Sequence, residues 1–130
     1  MNLVDLTLEA ASAVTHLRKP NLDDWLKAID PVLEAAGEPS IGRNTIEDIK
    51  VSDLTVEICT SYSVRGCDQS TNVRLPVAIL IADNPIQAAT RYKLSNALTE
   101  AKSRLKTAQN AVQLHSAEVE KLEASLAAMA

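Results

Sequence analysis

The stretch "LSNALTEAKSRLKTAQNAVQLHSAEVEKLEASLAAM", Leu94 to Met129, contains neither glycine nor proline. These are the two residues that most strongly oppose a helix interior, so the stretch reads as one unbroken helix. Its inward-type positions are Leu94, Leu98, Ala101, Leu105, Ala108, Val112, His115, Val119, Leu122, Leu126 and Met129, at spacings of four and three throughout. A strict seven-residue repeat marks a left-handed coiled coil. Leu98, Leu105, Val112, Val119 and Leu126 take the a positions; Leu94, Ala101, Ala108, His115, Leu122 and Met129 take the d positions. The alternative is a helix lying along its own domain, which needs a partner of matching length. Neither helix expected near the N-terminus is long enough, so the seam is expected to close on other copies of the chain. A dimer is the default. Alanine at Ala101 and Ala108, with Ala97, Ala111, Ala117 and Ala124 nearby, keeps trimer and tetramer open.

His115 sits at a d position. A polar residue in a seam costs stability and fixes register or oligomer state. Burial there disfavours the charged imidazolium, so assembly is expected to weaken in acid.

Upstream, "ADNP" opens the helix, with Asp83 or Asn84 as cap and Pro85 in the first turn, where its missing N–H costs nothing. Residues 85–130 form the oligomerisation helix; at 1.5 Å per residue, 85 to 129 would span about 65 Å. Before it, alternation of Leu54, Val56, Ile58, Tyr62 and Val64 with polar residues predicts a strand with one buried face. "RGCDQS" reads as a turn centred near Cys67, and Thr71–Ala82, ending in "VAILIA", as the returning strand, with Pro76 confining it to an edge or a bulge. The hairpin thus covers 51–82. "EPSIGRNTIEDIK" reads as a linker, with one short turn around Thr45–Ile49.

Two amphipathic helices precede this, over 3–18 and 22–36. The first places Leu3, Leu6, Ala10, Val14 and Leu17 on one face and stops at "RKPN". Asn21 caps the second, whose stripe is Trp25, Leu26, Ile29, Val32 and Leu33; Pro31 predicts a kink or a restart capped by Asp30, and Gly37 a stop. The expected class is α+β: two N-terminal helices, a β-hairpin in an antiparallel sheet within residues 1–84, and a long C-terminal coiled-coil helix.

The composition fits self-association. There is no Phe, one Trp and two Tyr in 130 residues, so the core is built from aliphatic residues. A unit of this size is marginal by itself. The net charge of −4 argues against a general nucleic-acid binder. Asp23 and Asp24 open the second helix where a helix-turn-helix would contact phosphate. No run is long and apolar enough to span a membrane, and "MNLVDLTLEAAS" lacks the features of a signal peptide, which makes the expected location cytoplasmic.

No catalytic set is legible. His16 and His115 are the only histidines, three glycines leave no phosphate loop, and neither Ser nor Cys sits in a nucleophile motif. Cys59 and Cys67 lack companions for a metal set. A turn near Cys67 puts Cys59 opposite roughly Leu75, too far for a disulfide. The expectation is no enzyme, no cofactor and no metal. Tyr62, Arg65, Asp68, Arg74, Arg91 and Tyr92 are the candidate binding residues, expected near the hairpin tip, its outer face and the hairpin–helix corner. Arg with Tyr suits an anionic or planar ligand, or a protein partner.

"YSVRGC", "LP" and "ADNP", over residues 54–92, together resemble a pattern in small phage-encoded accessory proteins of unassigned function. The resemblance implies a possible inhibitor of host defence, acting on a host protein or sequestering a nucleotide signal. The expected function is non-catalytic binding by a homo-oligomer. The alternatives are a small-anion binder with sites between subunits and a structural scaffold.

Overall fold

The computed structural model describes residues 2–129. It is α+β, in the order α1 (Leu3–His16), α2 (Asp23–Ala35), β1 (Thr45–Val51), β2 (Thr55–Val64), β3 (Cys67–Pro76), α3 (Val77–Ile81) and α4 (Pro85–Ala128). The three strands form one antiparallel sheet in the order β1-β2-β3. The chain divides into a compact unit reaching Lys93 and a second unit from Leu94 onward.

In the compact unit, the sheet's inner face is built in rows across the strands. Val51, Val56 and Leu75 form one row, and Ile49, Ile58 and Val73 the next. Ile58 and Leu75 are fully buried. α1 packs on β1, α2 and α3, and Ile29, Val32 and Leu33 of α2 complete the core. The first turns of α4 belong to this unit: Ala89 is buried and Tyr92 packs against the core.

β1 is a strand where a linker was expected. Its apolar residues, Ile46, Ile49 and Val51, do not alternate, because a bulge lies between Ile46 and Asp48. The extra residue reverses the parity, so Ile46 pairs with the inward Thr60 and returns to the core face.

The returning strand ends at Pro76, not at Ala82. β2 begins at Thr55, opposite Pro76, and one last bond, from the Val77 N–H to the Leu54 carbonyl (2.9 Å), closes the ladder. "VAILI" turns into α3 instead, burying the neighbours Ile79 and Leu80 while Ile81 is exposed. A short apolar run fits strand or helix equally well.

The hairpin turn is also earlier and tighter than expected. Val64 pairs with Cys67, leaving a two-residue loop of Arg65 and Gly66, both at positive φ (52° and 78°). That is the twist-matched hairpin turn, with an arginine in a position that favours Asn or Gly. Cys59 therefore faces Asn72, not Leu75, and both cysteines are free.

The helix ends follow simple chemistry. Asn2 accepts from the Asp5 N–H at 2.8 Å. α1 stops at His16, leaving Leu17 exposed at its C-cap. Leu22, not Asn21, is the N-cap residue of α2, although the Asn21 side chain accepts from the Asp23 N–H. α2 runs through Pro31 without a restart. Asp30 instead accepts from the Ile41 and Gly42 N–H groups (2.8 and 3.1 Å), pinning the loop that leads to β1. Gly37 ends α2 in a Schellman motif: its N–H donates to Glu34 and that of Glu38 to Leu33. Asn84 caps α4, accepting from the Gln87 N–H, ahead of Pro85.

One polar pair lies inside the core. The Trp25 indole donates to Thr7 Oγ1 (3.0 Å), and that hydroxyl donates to the Leu3 carbonyl (2.7 Å). Both side chains are satisfied, and among the described residues no buried side-chain polar atom lacks a partner.

Candidate functional site

Leu94–Ala128 is continuous helix, and its apolar side chains are not covered by the chain. The seam residues Leu94, Leu98, Leu105, Val112, Val119, Leu122 and Leu126 are 52–71% exposed. Ala101, Ala108 and His115 are exposed as well. Burying one leucine gives about 1.5–3 kcal/mol, so this row forgoes a large sum while it faces water. Shallow depressions follow the seam: Leu105, Ala108 and Val112 line one, and Val112, His115 and Val119 another. In shape these are the holes a coiled-coil partner fills with its knobs.

The seam is flanked by charge. In heptad terms Lys102 and Glu123 hold e positions, and Arg104 and Glu118 hold g positions. Arg104 pairs along the helix with Glu100, and His115 Nδ1 lies 3.8 Å from Glu118 Oε2. All four side chains are well exposed, where such pairs are worth little.

The hairpin makes a second surface. β1 pairs with β2 only as far as Ser61, opposite Thr45. Beyond that point β2 and β3 continue as a two-stranded arm. Tyr62 continues the inward parity of Val56, Ile58 and Thr60, past the covered part of the sheet, and both Tyr62 and Val64 are exposed. Val64, not among the expected binding residues, shares the alternation and the exposure of Tyr62.

The six candidate binding residues occupy separate places. Arg65 sits in the turn and Tyr62 on the inner face of the arm, whereas Asp68, opposite Ser63, lies on the outer face. Arg74 is on the outer face too, about 24 Å from the tip at seven residues along the strand, and is held at 3.0 Å by Glu57, its cross-strand neighbour. Arg91 is exposed near the start of α4, beside Asp83, Asn84 and Gln87. Tyr92 packs against the core. Three arginines expected on one surface are thus spread over three.

Among the described residues, no three His, Cys, Asp or Glu side chains come together in a metal-holding group. No helix is long and apolar enough to cross a membrane. Comparison with protein-family models, with curated proteins and with solved structures finds no match.

Proposed function

We propose that this chain is a non-catalytic binding protein that self-associates through the Leu94–Leu126 seam. The observation that carries the reading is the error-free heptad row whose leucines and valines are all more than half exposed. A soluble chain does not leave such a stripe in water without a partner for it. The compact unit has its own core, built around Ile29, Leu33, Ile58 and Leu75.

Self-association presents each binding arm more than once, which raises avidity without new contacts. The arm around Tyr62, Val64 and Arg65 is the surface proposed to meet a protein partner, since an exposed aromatic beside an arginine is a common binding anchor. The partner class, carried by the sequence resemblance alone, is a host defence protein. A small-anion site is the weaker reading, because Arg65, Arg74 and Arg91 do not converge and Arg74 is paired to Glu57.

Sedimentation equilibrium tests the association. Wild type is expected as an oligomer, and Leu105→Asp as a monomer with the compact unit still folded. A wild-type monomer at every concentration would overturn the reading.

A further inference from the structure

The seam carries enough pattern to choose its own partner. We infer that the occupant is one second copy of this chain, running antiparallel, with the two-fold axis at the level of Asn110. The inference rests on the self-association proposed above and adds orientation, register and stoichiometry.

Packing favours the antiparallel pair. In an antiparallel pair, each a residue meets a d residue of the other helix. With the axis at Asn110, residue numbers facing each other sum to about 220. Leu94 then meets Leu126 of the second copy, Leu98 meets Leu122, Ala101 meets Val119, Leu105 meets His115, and Ala108 meets Val112. Every small residue faces a larger one, and the ten positions from Leu94 to Leu126 are all used, with only the terminal Met129 left outside. In a parallel in-register pair, Ala101 and Ala108 would face their own copies, and His115 would face another His115. Two layers would be underfilled and one would bring two imidazoles together. Sliding the antiparallel pair by one heptad leaves Leu94 of each copy without a partner in one direction, and Leu122 and Leu126 of each copy facing Arg91 and Gln87 in the other.

The holes agree. The depression between Leu105, Ala108 and Val112 receives Val112 of the second copy, and the one between Val112, His115 and Val119 receives its Leu105. In the parallel arrangement the same two holes would receive only Ala108 and His115.

Charge favours the same arrangement independently. Flanking positions are basic in the first half of the seam (Lys102, Arg104) and acidic in the second (Glu118, Glu123). In the antiparallel register the g residue Arg104 faces Glu118 of the second copy, and the e residue Lys102 faces its Glu123. By symmetry each pair occurs twice, giving four attractive contacts. In the parallel arrangement Glu118 faces Glu123 of the other chain, twice, and neither cation meets an anion. Charge complementarity of this kind sets helix orientation more than it sets affinity.

His115 also has a role under this arrangement. It does not face itself but lies against Leu105, so each dimer carries two separated imidazoles. Each keeps its edge toward Glu118 of its own helix.

Spin-label distances decide the matter. Cys59 and Cys67 are first replaced by serine, since both are free. A nitroxide is then placed at Asn96→Cys or Ala124→Cys, both f positions pointing away from the seam. The antiparallel register puts the two Asn96 labels about 45 Å apart, 28 residues of axial offset at 1.5 Å each plus the width of the pair. Mixing Asn96-labelled with Ala124-labelled chains should add a distance of about 20 Å. A distance of about 20 Å from the Asn96 label alone overturns the inference in favour of parallel helices. A long Asn96 distance without the short mixed one overturns the register. No dipolar coupling in any sample means no association, which is failure of the underlying proposal. As a second readout, Glu118→Arg should weaken the dimer about fivefold, and combining it with Arg104→Glu should restore it. A tighter Glu118→Arg dimer points to parallel pairing and also overturns the inference.

Discussion

The compact unit and the Leu94–Leu126 helix use similar residues to opposite ends. In the compact unit, Ile, Val and Leu from both faces of the chain meet inside it, and side chains such as Ile29, Leu33, Ile58 and Leu75 are fully buried. In the helix, leucines and valines in an equally regular pattern are buried nowhere within the chain. The difference lies in the period and in what surrounds it. Rows at a period of two find partners on the next strand and a helix above them. A row at a period of seven, on a helix with no companion of its length, finds its partner only outside the chain. Apolar regularity therefore specifies burial in both regions, and the geometry decides whether the burial is intramolecular.

That contrast can be broken most sharply in the seam. Leu105→Asp puts a carboxylate against His115 and the apolar layers around it, at a cost of several kcal/mol per dimer. The expected result is loss of the oligomer by sedimentation, with unchanged near-ultraviolet signal from Trp25 in the compact unit. The mirror experiment is Thr7→Val. It leaves the buried Trp25 N–H without an acceptor and should destabilise the compact unit by about 1–3 kcal/mol in chemical denaturation, without changing the dissociation constant. If either substitution disturbs both regions equally, the two are not independent.

Smaller effects sharpen the comparison. Arg65 holds a left-handed backbone at φ 52°, a conformation that costs a side-chain-bearing residue about 1 kcal/mol. Arg65→Asn should raise the compact unit's stability by a few tenths to about 1 kcal/mol, read from the thermal midpoint, with association unaffected. His115→Leu should tighten the oligomer modestly. A variant no tighter than wild type would place His115 outside the seam.

Much of this was readable in the sequence where patterns were uninterrupted. The long helix, its opening at Asn84 and Pro85, the stop at Gly37 and the inward face of β2 all follow from local chemistry. Other features depended on partners far along the chain. β1 was hidden because its bulge breaks the period of two, so Ile46, Ile49 and Val51 look irregular until paired with Thr60, Ile58 and Val56. α3 was hidden because "VAILI" suits strand or helix, and only the end of the ladder at Leu54 leaves the rest of it without a partner strand. The turn was misplaced by an arginine at a position where Asn or Gly is usual. The candidate binding residues scattered for a related reason. Strand parity, fixed by the register, sends Tyr62 to one face and Asp68 and Arg74 to the other. Asp30, which looked like a helix cap, reaches a loop 11 residues away.

Hydrogen exchange followed at two protein concentrations tests the central claim most directly, because it reads both regions in one sample. A lone helix of this composition opens readily in water, whereas a paired one is protected. The account predicts that amides of the compact unit exchange at the same slow rate at both concentrations. Those from Leu98 to Leu122 should be slow at high concentration and markedly faster on dilution below the dissociation constant. Exchange of the Leu98–Leu122 amides that is fast at every concentration, beside a protected compact unit, would contradict it.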